Sequence, residues 1–117
     1  MSITFRPENL YNNLRNNFRD DSCVQNAILE MLELDVSNGN AGTIFAMLGL
    51  PDQSPSEGEL GWRALELRLH HIVHAKSEDY VPENPGNYEH SRFLCYQLSL
   101  MHIISYCLGA QCKLVWS

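Results

Sequence analysis

Apolar and polar positions change period several times along the chain, and each change marks an element. Ile3 and Phe5 alternate with polar neighbours, which predicts a short edge strand stopped by Pro7. Pro7-Glu8-Asn9 reads as a helix start, since proline suits a first turn and an acid suits the positive end of the helix dipole. Leu10, Leu14 and Phe18 follow at four-residue steps as a narrow apolar stripe. Asn12, Asn13, Asn16 and Asn17 lower the helix propensity of that segment, so a short helix is expected.

Asp20-Asp21-Ser22 marks a turn or a cap. Between Cys23 and Val36 two periods compete. Ala27, Ile28, Met31, Leu32 and Leu34 partly fit a helical stripe, whereas Leu32-Glu33-Leu34-Asp35-Val36 alternates as a half-buried strand does. The alternation predicts a strand over about 29 to 36, with irregular chain before it. Ser37-Asn38-Gly39-Asn40 is the clearest punctuation, and Asn38 or Asn40 is expected to cap a helix starting near Ala41. Ile44, Phe45, Met47 and Leu48 form its core face. Gly49 is placed to end it in a left-handed conformation, ahead of Pro51.

Asp52 to Glu57 is a polar loop. A helix is predicted from about Ser56 or Glu59 to Ala75, with Trp62, Leu65, Leu69, Ile72 and Val73 on its core side. Lys76 to Tyr88 reads as a second loop, marked by Pro82 and the Pro85-Gly86-Asn87 turn. From about Glu89 to Leu108 the chain predicts a helix that is nearly apolar all round and stopped by Gly109. Gln111 to Trp116 alternates again and predicts a terminal strand, paired with the Leu32 to Val36 segment and with Ser2 to Phe5 on an edge. These elements define the expected fold, one α-rich α+β domain over residues 1–117. Three to four helices surround a central C-terminal helix, beside a two- or three-stranded antiparallel sheet.

Composition agrees with a folded domain. Apolar residues make up 44% and charged residues 19% of 117 positions. A chain of this length buries roughly two-thirds of its unfolded surface and needs neither disulfide nor metal to fold. The net charge is −6, from 14 acidic and 8 basic residues, and the six arginines are scattered. A phosphate backbone requires a clustered basic face, so no nucleic-acid partner is expected; the acidic balance suits solubility or a basic protein partner.

The N-terminus lacks a basic and apolar leader pattern, and the longest strongly apolar stretch, Leu98 to Leu108, is too short to span a bilayer. Cys23, Cys95, Cys107 and Cys112 form no Cys-x-x-Cys pair and no disulfide framework. A cytoplasmic protein with reduced cysteines, and without a membrane partner, is therefore expected.

The run Val36-Ser37-Asn38-Gly39-Asn40-Ala41 through Leu48-Gly49-Leu50, followed by Gly58-Glu59-Leu60, resembles small bacterial and phage proteins of unassigned activity. Those carry a strand ending in an Asn-x-Asn-Ala cap, a helix ending in Leu-Gly-Leu and a later helix after Gly-x-Leu. The resemblance implies a phage-linked or accessory protein and lends no catalytic residues.

For chemistry, the histidines come first. His70 and His74 are four residues apart, with Glu66 one turn earlier, so a helix sets all three on one face. Such a set can chelate zinc or nickel if further ligands join it. His71 stands where the zincin pattern needs glutamate, so that motif is absent, and the bland alternative is the solvent face of an amphipathic helix. No cysteine lies in a nucleophile motif, and the glycines form no phosphate-cradling loop. The excess apolarity of the last helix nominates Tyr96, Leu100 and Ile103, with Trp116, as an interface for a protein partner or a second copy. The leading expectation is a non-enzymatic interaction module such as a small acidic inhibitor or adaptor, in one form a phage-encoded anti-defence protein. The alternatives are a metal-binding protein using Glu66, His70 and His74, and a structural subunit of a larger assembly.

Overall fold

In the computed structural model, which describes residues 2–50, 57–79 and 87–117, the two ends of the chain meet at the centre of one antiparallel sheet. Strand β1 (Ser2–Pro7) pairs on one side with β2 (Leu34–Ser37) and on the other with β4 (Leu114–Trp116); β3 (Gly58–Leu60) adds to the far side of β4. The order is β2-β1-β4-β3. Ile3 and Phe5 point into the core and Ser2 outward, as the alternation requires. The sheet therefore has four strands rather than two or three. β1 is central rather than an edge, and β4 pairs with β1 and β3 rather than with β2. Strand partners are long-range choices that alternation alone leaves open. Pro7 ends β1 instead of opening a helix, at a final position where a missing N–H costs little. Asn9, at a φ of 60°, then turns the chain into α1 (Leu10–Asn17).

Helix α2 (Ser22–Leu32) replaces the irregular chain and most of the strand expected over 29 to 36. The Asp21 carboxylate accepts the Val24 N–H at 3.0 Å and satisfies one of the first-turn donors. Leu29 and Leu32 then turn inward with Ile28, and only Leu34 onward is extended. Helix α3 (Asn38–Met47) is capped by Ser37 Oγ, which accepts from Asn40 N at 3.3 Å, rather than by Asn38 or Asn40. Its expected face of Ile44, Phe45, Met47 and Leu48 is buried, and Gly49 follows at a φ of 71°. The loop expected at Asp52 to Glu57 lies outside the described residues except for Glu57, as does residues 80–86 of the loop expected at Lys76 to Tyr88.

Helix α4 (Trp62–Val73) starts later than predicted, because Gly58–Leu60 is spent as β3. A Cβ on Gly58 would stand 2.6 Å from Trp116 Cζ2, so glycine lets the edge strand close over that indole. Val73, placed on the core side by the helical wheel, is 44% exposed, since the helix ends there and turns its last residue outward. After a short 3-10 turn (Ser77–Asp79), α5 (Asn87–Ala110) runs about 36 Å through the molecule. Gly109 lies inside α5, and Gln111, at a φ of 54°, makes the turn expected of that glycine. With five α-helices among the described residues, the long C-terminal α5 included, the fold is α-rich α+β.

The C-terminal ends of three helices receive a side chain from the helix that follows. Gln25 of α2 donates to the Phe18 carbonyl at 2.6 Å, and Arg68 of α4 donates to the Leu48 carbonyl at 2.7 Å. Gln97 of α5 donates to the Ile72 and Ala75 carbonyls at 2.8 and 3.0 Å. Orphan carbonyls at helix ends are satisfied in this way while successive helices are tied together.

Candidate functional site

α5 is the wall shared by both sides of the protein. Phe93, Leu100, Ile103, Ile104 and Cys107 face the main core with the inward residues of the sheet, α3 and α4. Three aromatic rings close that core. Phe5 stands 5.5 Å from Phe45 and 5.9 Å from Trp116 between centroids, and Phe45 stands 5.6 Å from Trp116. Of the expected interface residues, Leu100 and Ile103 are fully buried, Trp116 is 5% exposed and Tyr96 is half-buried. Leu100, Ile103 and Trp116 are thus core residues and offer no surface. A helix apolar on every side does not reveal which side the sheet will take.

By length and composition, Glu89–Ala110 of α5 is apolar enough to cross a membrane, a longer stretch than Leu98 to Leu108 suggested. Its inward stripe is the centre of the main core, but only 28% of that apolar window is buried, so the core accounts for part of the apolarity.

Glu66 and His70 lie on α4 and His74 is its C-terminal cap, and all three are exposed. The His70 and His74 rings meet edge to face, 4.6 Å apart, as their spacing predicts. Among the described residues, no third metal-ligating side chain joins them in a group able to hold an ion. His90 lies elsewhere, with Nδ1 2.9 Å from Ser77 Oγ. The thiols divide by burial. Cys23 and Cys95 are exposed, whereas burial, together with neighbouring Cys112, pushes the Cys107 thiol well above its ordinary value and keeps it protonated.

What the residue pattern did not reveal is a groove on the other side of α5. It is open, of about 510 Å³, and lined by Phe18 at the end of α1, Ile28, Met31 and Leu32 of α2, and His102 and Tyr106 of α5. Phe18 is 37% and Met31 53% exposed. Leu98, one turn before His102, is 56% exposed and prolongs the apolar surface along α5. The only signal for this in the sequence was the helical share of the Ala27 to Leu32 pattern. Two smaller hollows lie elsewhere, one around Gly49, Leu67, Arg68 and His71 and one around Arg6, Tyr11 and Arg15. In the first, Arg68 is committed to capping α3.

Compared with known proteins, the chain matches no family, no curated protein and no solved structure.

Proposed function

We propose that the chain is a non-enzymatic protein–protein interaction module, a small acidic inhibitor or adaptor. The observation that carries this reading is the apolar groove beside α5, where phenylalanine, methionine and leucine side chains face solvent together. Apolar patches of this kind on small proteins commonly mark sites for other proteins. The acidic balance, the protonated Cys107 and the lack of a nucleophile motif favour binding over catalysis. The exposed free thiols of Cys23 and Cys95 suit a reducing cytoplasm. The cap and helix-end resemblance extends the reading to a phage-linked protein that blocks a host component.

Affinity capture with the full chain from source cells, read by quantitative mass spectrometry, tests the reading. One stoichiometric protein supports it. A chain that remains monomeric and alone at micromolar concentration contradicts it.

A second reading keeps one specific observation, the adjacent imidazoles of His70 and His74. In it these residues, with Glu66, bind zinc or nickel. Calorimetric titration of the untagged chain with zinc is expected to show one site that is lost in His70→Ala; no heat in the wild type rejects it.

A further inference from the structure

We propose that Cys107 and Cys112, at the joint between α5 and β4, are a dithiol pair that a hydroperoxide closes into a reversible disulfide. The site lies apart from the groove and does not depend on what the chain binds.

The backbone brings the two residues together. Gln111 stands in the left-handed region at a φ of 54°, and the Cys112 N–H donates to the Cys107 carbonyl at 3.0 Å. A hydrogen bond that spans six residues around a left-handed one is a common helix ending, and the first and last side chains of that turn make the apolar contact that accompanies it. Here both of those side chains are thiols. Cys107 is fully buried in the main core, and half-buried Cys112 packs against that core. The Cys107 thiol donates to the Lys113 carbonyl at 3.5 Å, so its sulfur is turned toward the chain just after Cys112. The proton affinity of each thiol responds to a hydrogen bond with the other, as neighbouring sulfurs require. Directly hydrogen-bonded residues of antiparallel strands have Cα atoms about 5.5 Å apart, and a disulfide spans roughly 4.4–6.8 Å. Two cysteines joined by one backbone hydrogen bond are within that reach without moving either element.

Exposure sets the order of events. Cys112 is reached from solvent and Cys107 is not. The Cys112 thiolate takes one oxygen from the hydroperoxide and becomes a sulfenic acid, and the other oxygen leaves as an alcohol or, from hydrogen peroxide, as water. The Cys107 sulfur then attacks the Cys112 sulfur. The S–S bond forms, and the sulfenic hydroxyl departs as water with the Cys107 proton. Two thiols have lost two hydrogens, and the peroxide has taken up two electrons. A small thiol reverses the step by exchange through a mixed disulfide. Burial raises both thiols above their ordinary 9.0, so thiolate is scarce at neutral pH and closure quickens as pH rises. The bond ties the end of α5 to β4, which lies between β1 and β3 in the sheet.

The test uses the full chain with Cys23→Ser and Cys95→Ser, which remove the two exposed thiols. Hydrogen peroxide is expected to consume both remaining thiols while the chain stays monomeric. Its mass should fall by two hydrogens, the tryptic fragment Phe93–Lys113 should carry that loss, and dithiothreitol should restore both thiols. Adding Cys112→Ser is expected to leave the Cys107 thiol intact at the same dose. Adding Cys107→Ser is expected to leave Cys112 as a sulfenic acid that dimedone traps, with circular dichroism showing that each variant is folded. The first measurement needs neither added variant, so it decides the matter even where one of them unfolds. Thiols that survive the oxidant, a gain of oxygen with no loss of hydrogen, a disulfide between two chains, or a rate unchanged by pH overturns the proposal.

Discussion

Among the described residues, seventeen buried ones join the sheet to α3, α4 and α5, whereas three, Leu10, Leu14 and Leu32, hold α1 and α2 to the other side of α5. The larger core has three interlocked aromatic rings and helix ends capped across elements. The smaller cluster is completed by half-buried Ile28, Leu29 and Tyr106, and it borders the open groove. Each fully buried large apolar side chain contributes about 1.5–3 kcal/mol, so stability resides on the sheet side. The α2 side leaves apolar atoms in water, where an incoming surface can cover them. The difference separates two faces of one helix: one face of α5 carries the folding core, and the other is the face that the proposed interaction module would use.

The strongest way to break this comparison is to empty the larger core. Phe5→Ala removes a ring held by Phe45 and Trp116 and is expected to cost about 3–5 kcal/mol, enough to unfold the chain or lower its urea midpoint severely. A loss under 1 kcal/mol on the scale of ordinary surface changes would contradict the account. Leu32→Ala attacks the smaller cluster. Because a near-surface site can collapse, the expected loss is about 2 kcal/mol, at the low end for buried leucine. Its circular dichroism should lose helix before the sheet-side aromatic signal changes. Asp21→Ala removes the cap that starts α2 and is expected to cost about 1 kcal/mol, read in the same melts.

These sites also show which parts of the fold the sequence could express. α3 was legible because its signals are local: the polar Ser37-Asn38-Gly39-Asn40 run before it, a clean apolar face and a glycine at the left-handed stop, although the capping acceptor is Ser37 rather than Asn38 or Asn40. α5 was legible from length and apolarity alone. α2 was hidden because Leu32 to Val36 alternates across the junction where helix gives way to strand, so two periods overlap in five residues. β3 was hidden because three residues carry no period, and its place depends on Trp116 more than fifty positions away. The same holds for the candidate site. The His70–His74 pair is a helical spacing and was visible. The groove needs α1, α2 and α5 brought together, and on the other side of α5 the main core takes in Leu100 and Ile103, which apolarity alone had put at the surface.

The smallest expected effect concerns the link between α1 and the end of α2. The Tyr11 hydroxyl donates to the Glu33 carboxylate, and that hydrogen bond, with partial burial and the nearby negative charge, raises the Tyr11 pKa above its ordinary 10.0. A group raised on folding contributes stability that is fully present below its unfolded value and lost as pH rises through its folded one. The contribution of Tyr11 should therefore hold below pH 10 and disappear above it. Above pH 10 the melting temperature of the wild type is expected to fall more than that of Tyr11→Phe. Lys113, raised in the same direction by Glu59, is common to both proteins and cancels. Parallel curves would show that the Tyr11–Glu33 link carries nothing.

Native-state hydrogen exchange of the free chain, resolved by residue, tests the division of the molecule most directly. Amides of α1 and α2 are expected to open at a lower free energy than those of α5 and β1, and Leu32→Ala should lower the first group while leaving the second nearly unaltered. If α2 exchanges only with global unfolding, together with α5 and β1, the two sides form one cooperative unit and the separation of folding from recognition is wrong.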